Sequence, residues 1–246
     1  MTNPPPALVL TRISAGYGGR PILHEMSLAV AIGESVALIG PNGCGKSTLF
    51  RVVAGTLEET RGEVALHGVP VDGQPTDARI RHGLGYLTQT RNIFAGLTVA
   101  ENLLLAVESR LSGDTATRRV RRVLEVFPSL VGRRDDRAGL LSGGQRQVLA
   151  VAMVLTRPAR LLLLDEPVAG LSAELAIELV EGLRTLQADD GFAMVLIEHR
   201  LRRVQPVVDR VLVMREGRIV DDTRETDRML DAAWLAAHYT NGSRLP

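Results

Sequence analysis

The 246-residue chain contains one lysine, Lys46, against 28 arginines. Arginine serves wherever a generic positive charge is enough, so the lone compact ammonium marks a position that a planar guanidinium does not fit. Cysteine is as scarce. Cys44 stands alone, which excludes an internal disulfide and agrees with a reducing, cytoplasmic setting. The longest apolar run, Val148 to Leu155, falls far short of the roughly 20 residues of a membrane-spanning helix. The opening MTNPPPALVL lacks the basic-then-apolar order of a secretory signal. Basic excess is missing too: a formal net charge of +1 gives no electrostatic case for a nucleic-acid partner. Internal repeats and low-complexity segments are absent. What remains is enough chain for one large domain, or two small lobes, with a real core.

Residues 8–13 and 26–39 read as strands, the second ending in VALIG, and KSTLFRVVAG reads as the helix that follows. GEVALHG and GLGYLTQ are short strands bounded by glycine. From Thr98 to Arg157 the pattern turns helical, with broad apolar faces in TVAENLLLAVESR and QRQVLAVAMVLTR. ARLLLLDEP is a continuous apolar strand of the kind a buried parallel sheet requires. A helix over 173–188 and a strand over 193–197 repeat the alternation, while TNPPP reads as a disordered tail and GRRDDRAG as a solvated loop. The pattern implies an α/β core interrupted by a mainly helical lobe at roughly residues 92–158.

GPNGCGKST, residues 40–48, fits G-x-x-x-x-G-K-[ST] after a strand and before a helix, the context this phosphate-binding motif requires. Its residues Gly40, Pro41, Asn42, Gly43, Cys44, Gly45, Lys46, Ser47 and Thr48 are expected to wrap a nucleoside triphosphate. Backbone N–H groups and the helix N-terminus supply positive potential. Lys46 is expected on the β- and γ-phosphates and Ser47 on Mg²⁺, while Cys44 suggests a site sensitive to alkylation. In LLLLDEP, successive side chains point to opposite faces, so Asp165 can reach Mg²⁺ while Glu166 polarises the attacking water. His199 follows the strand AMVLI and could contact the γ-phosphate, although an isolated histidine is more often structural. Gln89 could sense Mg²⁺ or the attacking water, and Tyr17, in AGYGGR, offers a face for adenine stacking. Alone, each of these two would be uninformative.

A second phosphate-type helix start, LLSGGQRQVL, occupies residues 140–149. Taken with Tyr17, the phosphate loop, Gln89, LLLLDEP and His199, in that order, it resembles the ATP-binding subunit of ABC transporters over nearly the whole chain. The resemblance implies a P-loop NTPase (RecA-like) α/β core with an antiparallel β subdomain and an inserted helical subdomain. Residues 1–246 would form a single nucleotide-binding domain, with 1–91 and 159–246 as core and 92–158 as the lobe carrying LSGGQ. It implies ATP as substrate, Mg²⁺ as cofactor, and two cassettes sandwiching two ATP molecules head to tail. Ser142, Gly143, Gly144 and Gln145 would then serve the partner's site, with a helix starting at Gly144. Permease subunits in the membrane would dock near Gln89–Asn102 and hold the protein on the inner face of the cell membrane.

GLGYLTQTRNIFAGLTVAENLLLA and DEPVAGLS are similar to stretches of branched-chain amino-acid (Liv-type) import cassettes, and lipopolysaccharide-export cassettes share much of the pattern. Two departures stand out: Ser172 occupies a position where many cassettes have Asp, and AMVL at 152–155 replaces a common ARAL. Around the docking stretch, Thr98 and Glu101 form a capping-box pattern. Ile93 and Phe94 either line a groove for a permease helix or, in the case of Phe94, fill the lobe's core. The apolar Leu230, Trp234 and Ala237 of the tail are expected to dock it on its own core. A soluble ABC ATPase acting on DNA or ribosomes would carry paired cassettes, long coiled coils or metal motifs, none of which appears. A GTPase would need N-K-x-D, which a chain with no lysine besides Lys46 cannot contain.

Overall fold

The computed structural model describes residues 4–88, 92–107 and 113–239. Four strands, β1 (Leu8–Tyr17), β2 (Arg20–Val30), β4 (Thr60–Leu66) and β5 (Val69–Pro70), form an antiparallel sheet in the order β2-β1-β4-β5. Six others form the central sheet: β3 (Ser35–Ile39), β6 (Leu84–Leu87), β7 (Leu161–Asp165), β8 (Ala193–Ile197), β9 (Arg210–Arg215) and β10 (Arg218–Thr223). Their order is β10-β9-β3-β8-β7-β6, parallel except for the edge strand β10.

Why β3, β7 and β8 are apolar without interruption is visible in where successive residues go. Val36 and Leu38, Leu161 and Leu163, and Ala193 and Val195 enter a core shared with α1 (Lys46–Ala54) and the antiparallel sheet. Ala37 and Ile39, Leu162 and Leu164, and Met194 and Leu196 enter a second core on the other face. Helices α3 (Val99–Ala106), α4 (Asp114–Glu125), α5 (Pro128–Val131), α6 (Gly143–Thr156) and α7 (Ala173–Asp190) contribute to that second core. Both faces are covered, so neither face of the strand needs polar residues. The short helices α2 (Thr76–Arg81) and α8 (Leu201–Val204) and the C-terminal α9 (Ala232–Tyr239) complete the described α-helices.

Three differences from the sequence reading have local causes. Residues 26–39 are two strands, because the chain turns at Gly33 (φ 71°) and the Glu34 carboxylate accepts the Ala31 N–H at 2.8 Å. GRRDDRAG is more than a solvated loop. The carbonyls of Asp136 and Arg134 accept the Val99 and Ala100 N–H groups at 3.0 Å each, and Ala138 is buried. These bonds satisfy donors that the first turn of α3 would otherwise leave orphaned. In the tail, Leu230 and Trp234 pack on the core as expected, but Ala237 is exposed.

Candidate nucleotide site

The phosphate loop joins β3 to α1, and glycine is required at both its ends. Gly40 has φ 149°, and a Cβ there would lie 2.0 Å from the Met214 carbonyl oxygen. Gly45, the N-cap of α1, has φ 111°, and a Cβ would come within 2.8 Å of Leu23. Asn42 and Gly43 form an exposed lip, while Cys44, Lys46 and Thr48 are buried and Ser47 is half-buried. The Lys46 ammonium folds back into the loop, donating to the carbonyls of Gly40 at 2.8 Å and Pro41 at 3.0 Å. Three small acceptors crowd one nitrogen here, since the Cys44 Sγ lies 3.9 Å away. A forked guanidinium has no comparable room. Burial pushes the Cys44 thiol up, with Lys46 opposing. A buried, poorly ionised thiol is the reverse of what alkylating reagents select, which corrects the expectation of an alkylation-sensitive site.

Asp165, the last residue of β7, continues the alternation of Leu161 and Leu163 and so faces α1, where the Ser47 hydroxyl favours its ionised form. Its Oδ1 is buried with no hydrogen-bond partner. Burial nevertheless pushes its carboxyl up. The next residue, Glu166, leaves the strand at φ 52°, a left-handed conformation that is uncommon outside glycine. The carboxylate therefore turns away from Asp165 and lies 3.4 Å from the His199 Nε2. His199 follows β8, and a residue not anticipated from the sequence sets its loop. Glu198 is buried, and its carboxylate accepts backbone N–H groups from Val168 at 2.8 Å, His199 at 3.2 Å and Arg200 at 3.4 Å. One side chain thus ties the loop after β8 to the loop after β7. Burial raises its carboxyl, and the three donors oppose that.

Tyr17 ends β1 with an exposed ring, and its hydroxyl accepts from Arg51 at 2.9 Å. The following turn is clamped by Glu59, whose carboxylate oxygens accept from Gly18 at 2.9 Å and Gly19 at 3.1 Å. Neither Arg51 nor Glu59 is legible as a partner of Tyr17 in the sequence.

The serine of LSGGQ is an N-cap. Ser142 Oγ accepts from the Gln145 N–H at 3.2 Å, and the Gln145 side chain accepts from the Ser142 N–H at 3.1 Å. This reciprocal capping box starts the helix at Gly143, one residue before the expected Gly144. Gly144 is packed, as a Cβ would meet Leu175 at 2.7 Å, whereas Gly143 faces open space. Further along α6, Gln147 donates to the backbone carbonyls of Glu166 at 3.5 Å and Pro167 at 3.3 Å, linking the helix to the carboxylate loop. Ser172 has a structural role of its own. It is the N-cap of α7 and accepts the Leu175 N–H at 3.3 Å, a position aspartate fills equally well.

Gln89 lies outside the described residues. Just after it, Phe94 is 54% exposed and so does not fill the lobe's core; Ile93 is the residue that packs inward. The expected capping box at Thr98 and Glu101 is present. Fully buried Asn102 organises the stretch. It accepts from the Phe94 N–H at 2.8 Å and donates to the carbonyls of Phe94 at 3.0 Å and Thr98 at 2.8 Å.

A parallel sheet with a glycine loop at the end of β3 and the Asp165–Glu166 pair at the end of β7, one strand beyond the neighbouring β8, defines a P-loop NTPase. Comparison with known proteins narrows this. Residues 23–169 match the ABC transporter family. The chain is 35% identical over 213 residues to the high-affinity branched-chain amino acid transport ATP-binding protein BraG of Pseudomonas aeruginosa, covering 87% of this chain and 91% of that protein. It is 31% identical over 226 residues to the lipopolysaccharide export system ATP-binding protein LptB of Escherichia coli, covering 91% and 93%. The solved ADP conformation of an ABC-transporter cassette superposes with a TM-score of 0.81 at 27% identity, covering 94% of this chain and 97% of that one. The chain belongs to the ABC transporter family as an ATP-binding subunit, and it is an ATPase. Among the described residues, no helix is long and apolar enough to cross a membrane.

Proposed function

We propose that this subunit hydrolyses Mg·ATP at a site shared between two cassettes and drives import of branched-chain or related amino acids through membrane permeases. The observation that carries the hydrolytic part is the meeting of Asp165, Ser47, Glu166 and His199 at the C-terminal end of the parallel strands, beside the phosphate loop. An orphaned, buried Asp165 oxygen next to a serine hydroxyl fits a hard divalent cation with oxygen ligands. Ser47 and Asp165, with Gln89, would hold Mg²⁺, directly or through water. Bound there, the metal would neutralise charge building up between the β- and γ-phosphates. Lys46 then turns toward phosphate oxygens, while backbone N–H groups of residues 42–48 cradle the rest. Glu166 orients a water for attack on the γ-phosphorus and takes its proton, and ADP departs. His199, held by Glu198, contacts the γ-phosphate, and Tyr17 stacks on adenine.

Ser142, Gly143, Gly144 and Gln145 complete the site of a second cassette. Their support is the open face at Gly143 and the α6 N-terminus, which adds positive potential toward an anion. Residues 1–91 and 159–246 act as the catalytic core and 92–158 as the lobe that carries this signature. The amino-acid reading rests on similarity to BraG and on the sequence from Gly83 to Ala106. The similarity to LptB keeps lipopolysaccharide-type export as the second reading.

The permease contact centres on Phe94, and with it the subunit's place on the inner face of the cell membrane. Asn102 holds the backbone beneath it, so an exposed aromatic ring is presented from an ordered loop. Phe94→Ala is expected to lose co-purification with polytopic membrane subunits while the melting temperature stays within a few degrees, as for most surface substitutions. Undiminished recovery of those subunits from solubilised native membranes would reject the contact. Recovery of soluble or nucleic-acid partners alone by the unaltered protein would reject transport.

A further inference from the structure

Gly40 is held from two sides. Its carbonyl accepts from Lys46, and its N–H donates at 3.2 Å to the hydroxyl of Tyr239, 199 residues further along the chain. Tyr239 is the last residue of α9, and its position is fixed independently of the loop. Trp234, Leu235 and Tyr239 pack on the core, and the Trp234 and His238 rings lie 4.4 Å apart. The His238 Nε2 meets the Asp221 carboxylate of β10 at 3.0 Å, and its Nδ1 faces the Trp234 carbonyl at 2.7 Å. The phenol is thus brought to the phosphate loop by a helix anchored on β10 and the core. It stays neutral, since burial pushes its ionisation up.

The two contacts on Gly40 differ in one respect. The three Lys46 N–H donors now face the Gly40 and Pro41 carbonyls and the Cys44 sulfur, so turning toward a phosphate oxygen draws the ammonium from at least one of them, whereas the Tyr239 bond uses no group that nucleotide needs. Gly40 also joins β3 to the loop, at φ 149° and so close to β9 that a Cβ would clash with the Met214 carbonyl. We propose that Tyr239 is a positioning residue for the phosphate loop: its hydroxyl keeps the Gly40 peptide in place as Lys46 is drawn toward nucleotide, so that α9 sets nucleotide affinity. The phenol touches no reacting atom. It reduces the ordering that binding would otherwise have to impose on the loop.

The inference rests on ATP binding at this loop, and the unaltered protein is the control for that reading. Tyr239→Phe keeps the ring and its packing and deletes only the hydroxyl. Affinity for Mg·ADP by calorimetry is expected to weaken roughly three- to tenfold, the range of one ordinary hydrogen bond. The KM for ATP should rise by a similar factor, with kcat at saturation within about twofold. The rise in melting temperature on adding Mg·ADP should shrink, because that increment reports affinity. A purely structural bond would lower the melting temperature with and without nucleotide alike and leave affinity and KM unchanged, which would overturn the inference. If the unaltered protein bound no nucleotide, the ATP reading would fall and the inference with it. Normal binding by both forms would overturn the inference alone.

Discussion

Lys46→Arg is expected to lower ATP turnover by about a hundredfold or more while leaving the fold intact. Formal charge is preserved, so a purely long-range electrostatic role would predict a small effect. The local geometry argues otherwise. The ammonium sits buried among the Gly40 and Pro41 carbonyls and the Cys44 sulfur, at 2.8, 3.0 and 3.9 Å. A guanidinium is wider, planar and fixed in donor direction, so it neither fits that pocket nor reaches a phosphate as a point charge. Losing one preorganised donor to transition-state charge costs about 10²–10³ in kcat in comparable sites. Steady-state turnover with thermal melting as a folding control reads the result, and wild-type turnover would refute it. The composition makes the point independently: in a chain that uses arginine 28 times, lysine survives once, here.

Glu166→Gln should reduce hydrolysis by about 10²–10⁴, the usual reach of a general base, while Mg·ATP binding persists. Glutamine keeps the shape and the strained φ of 52°, and it leaves Asp165 and Ser47 untouched. Binding without hydrolysis should then trap ATP between two cassettes. The variant is expected to sediment as a dimer with Mg·ATP and as a monomer with ADP. A strictly monomeric variant at saturating ATP would count against the sandwich.

Much of this was legible from sequence because it follows from local chemistry. β3, β7 and β8 announce themselves as apolar runs since both their faces are buried, and the phosphate loop since only its glycines permit the path. The lapses are equally physical. Residues 26–39 look continuous because Ala31 and Ile32 keep the turn apolar, although Ile32 is exposed. Strand β10 escaped because polarity does not follow burial at this sheet edge: half-buried Asp221 and Thr223 are polar, while exposed Val220 is apolar. Glu59, Asn102, Glu198 and Tyr239 escaped because each works by binding backbone groups. Such groups carry no residue identity, and Glu59 and Tyr239 find theirs across 41 and 199 residues of chain. Ser142 illustrates a different limit. Its capping box with Gln145 is a complete structural explanation of the serine within one chain, and only the resemblance to known cassettes gives it a second task.

That second task is the central claim, and subunit mixing tests it most directly. Lys46→Ala lacks a working phosphate loop but keeps its signature; Ser142→Arg keeps its loop but blocks its signature. A mixed dimer assembles one wholly intact site from the two good halves. Each variant alone is predicted to be inactive, with ATPase activity appearing on mixing. Wild-type turnover by Ser142→Arg alone would contradict the account, because the site would then be complete within a single cassette.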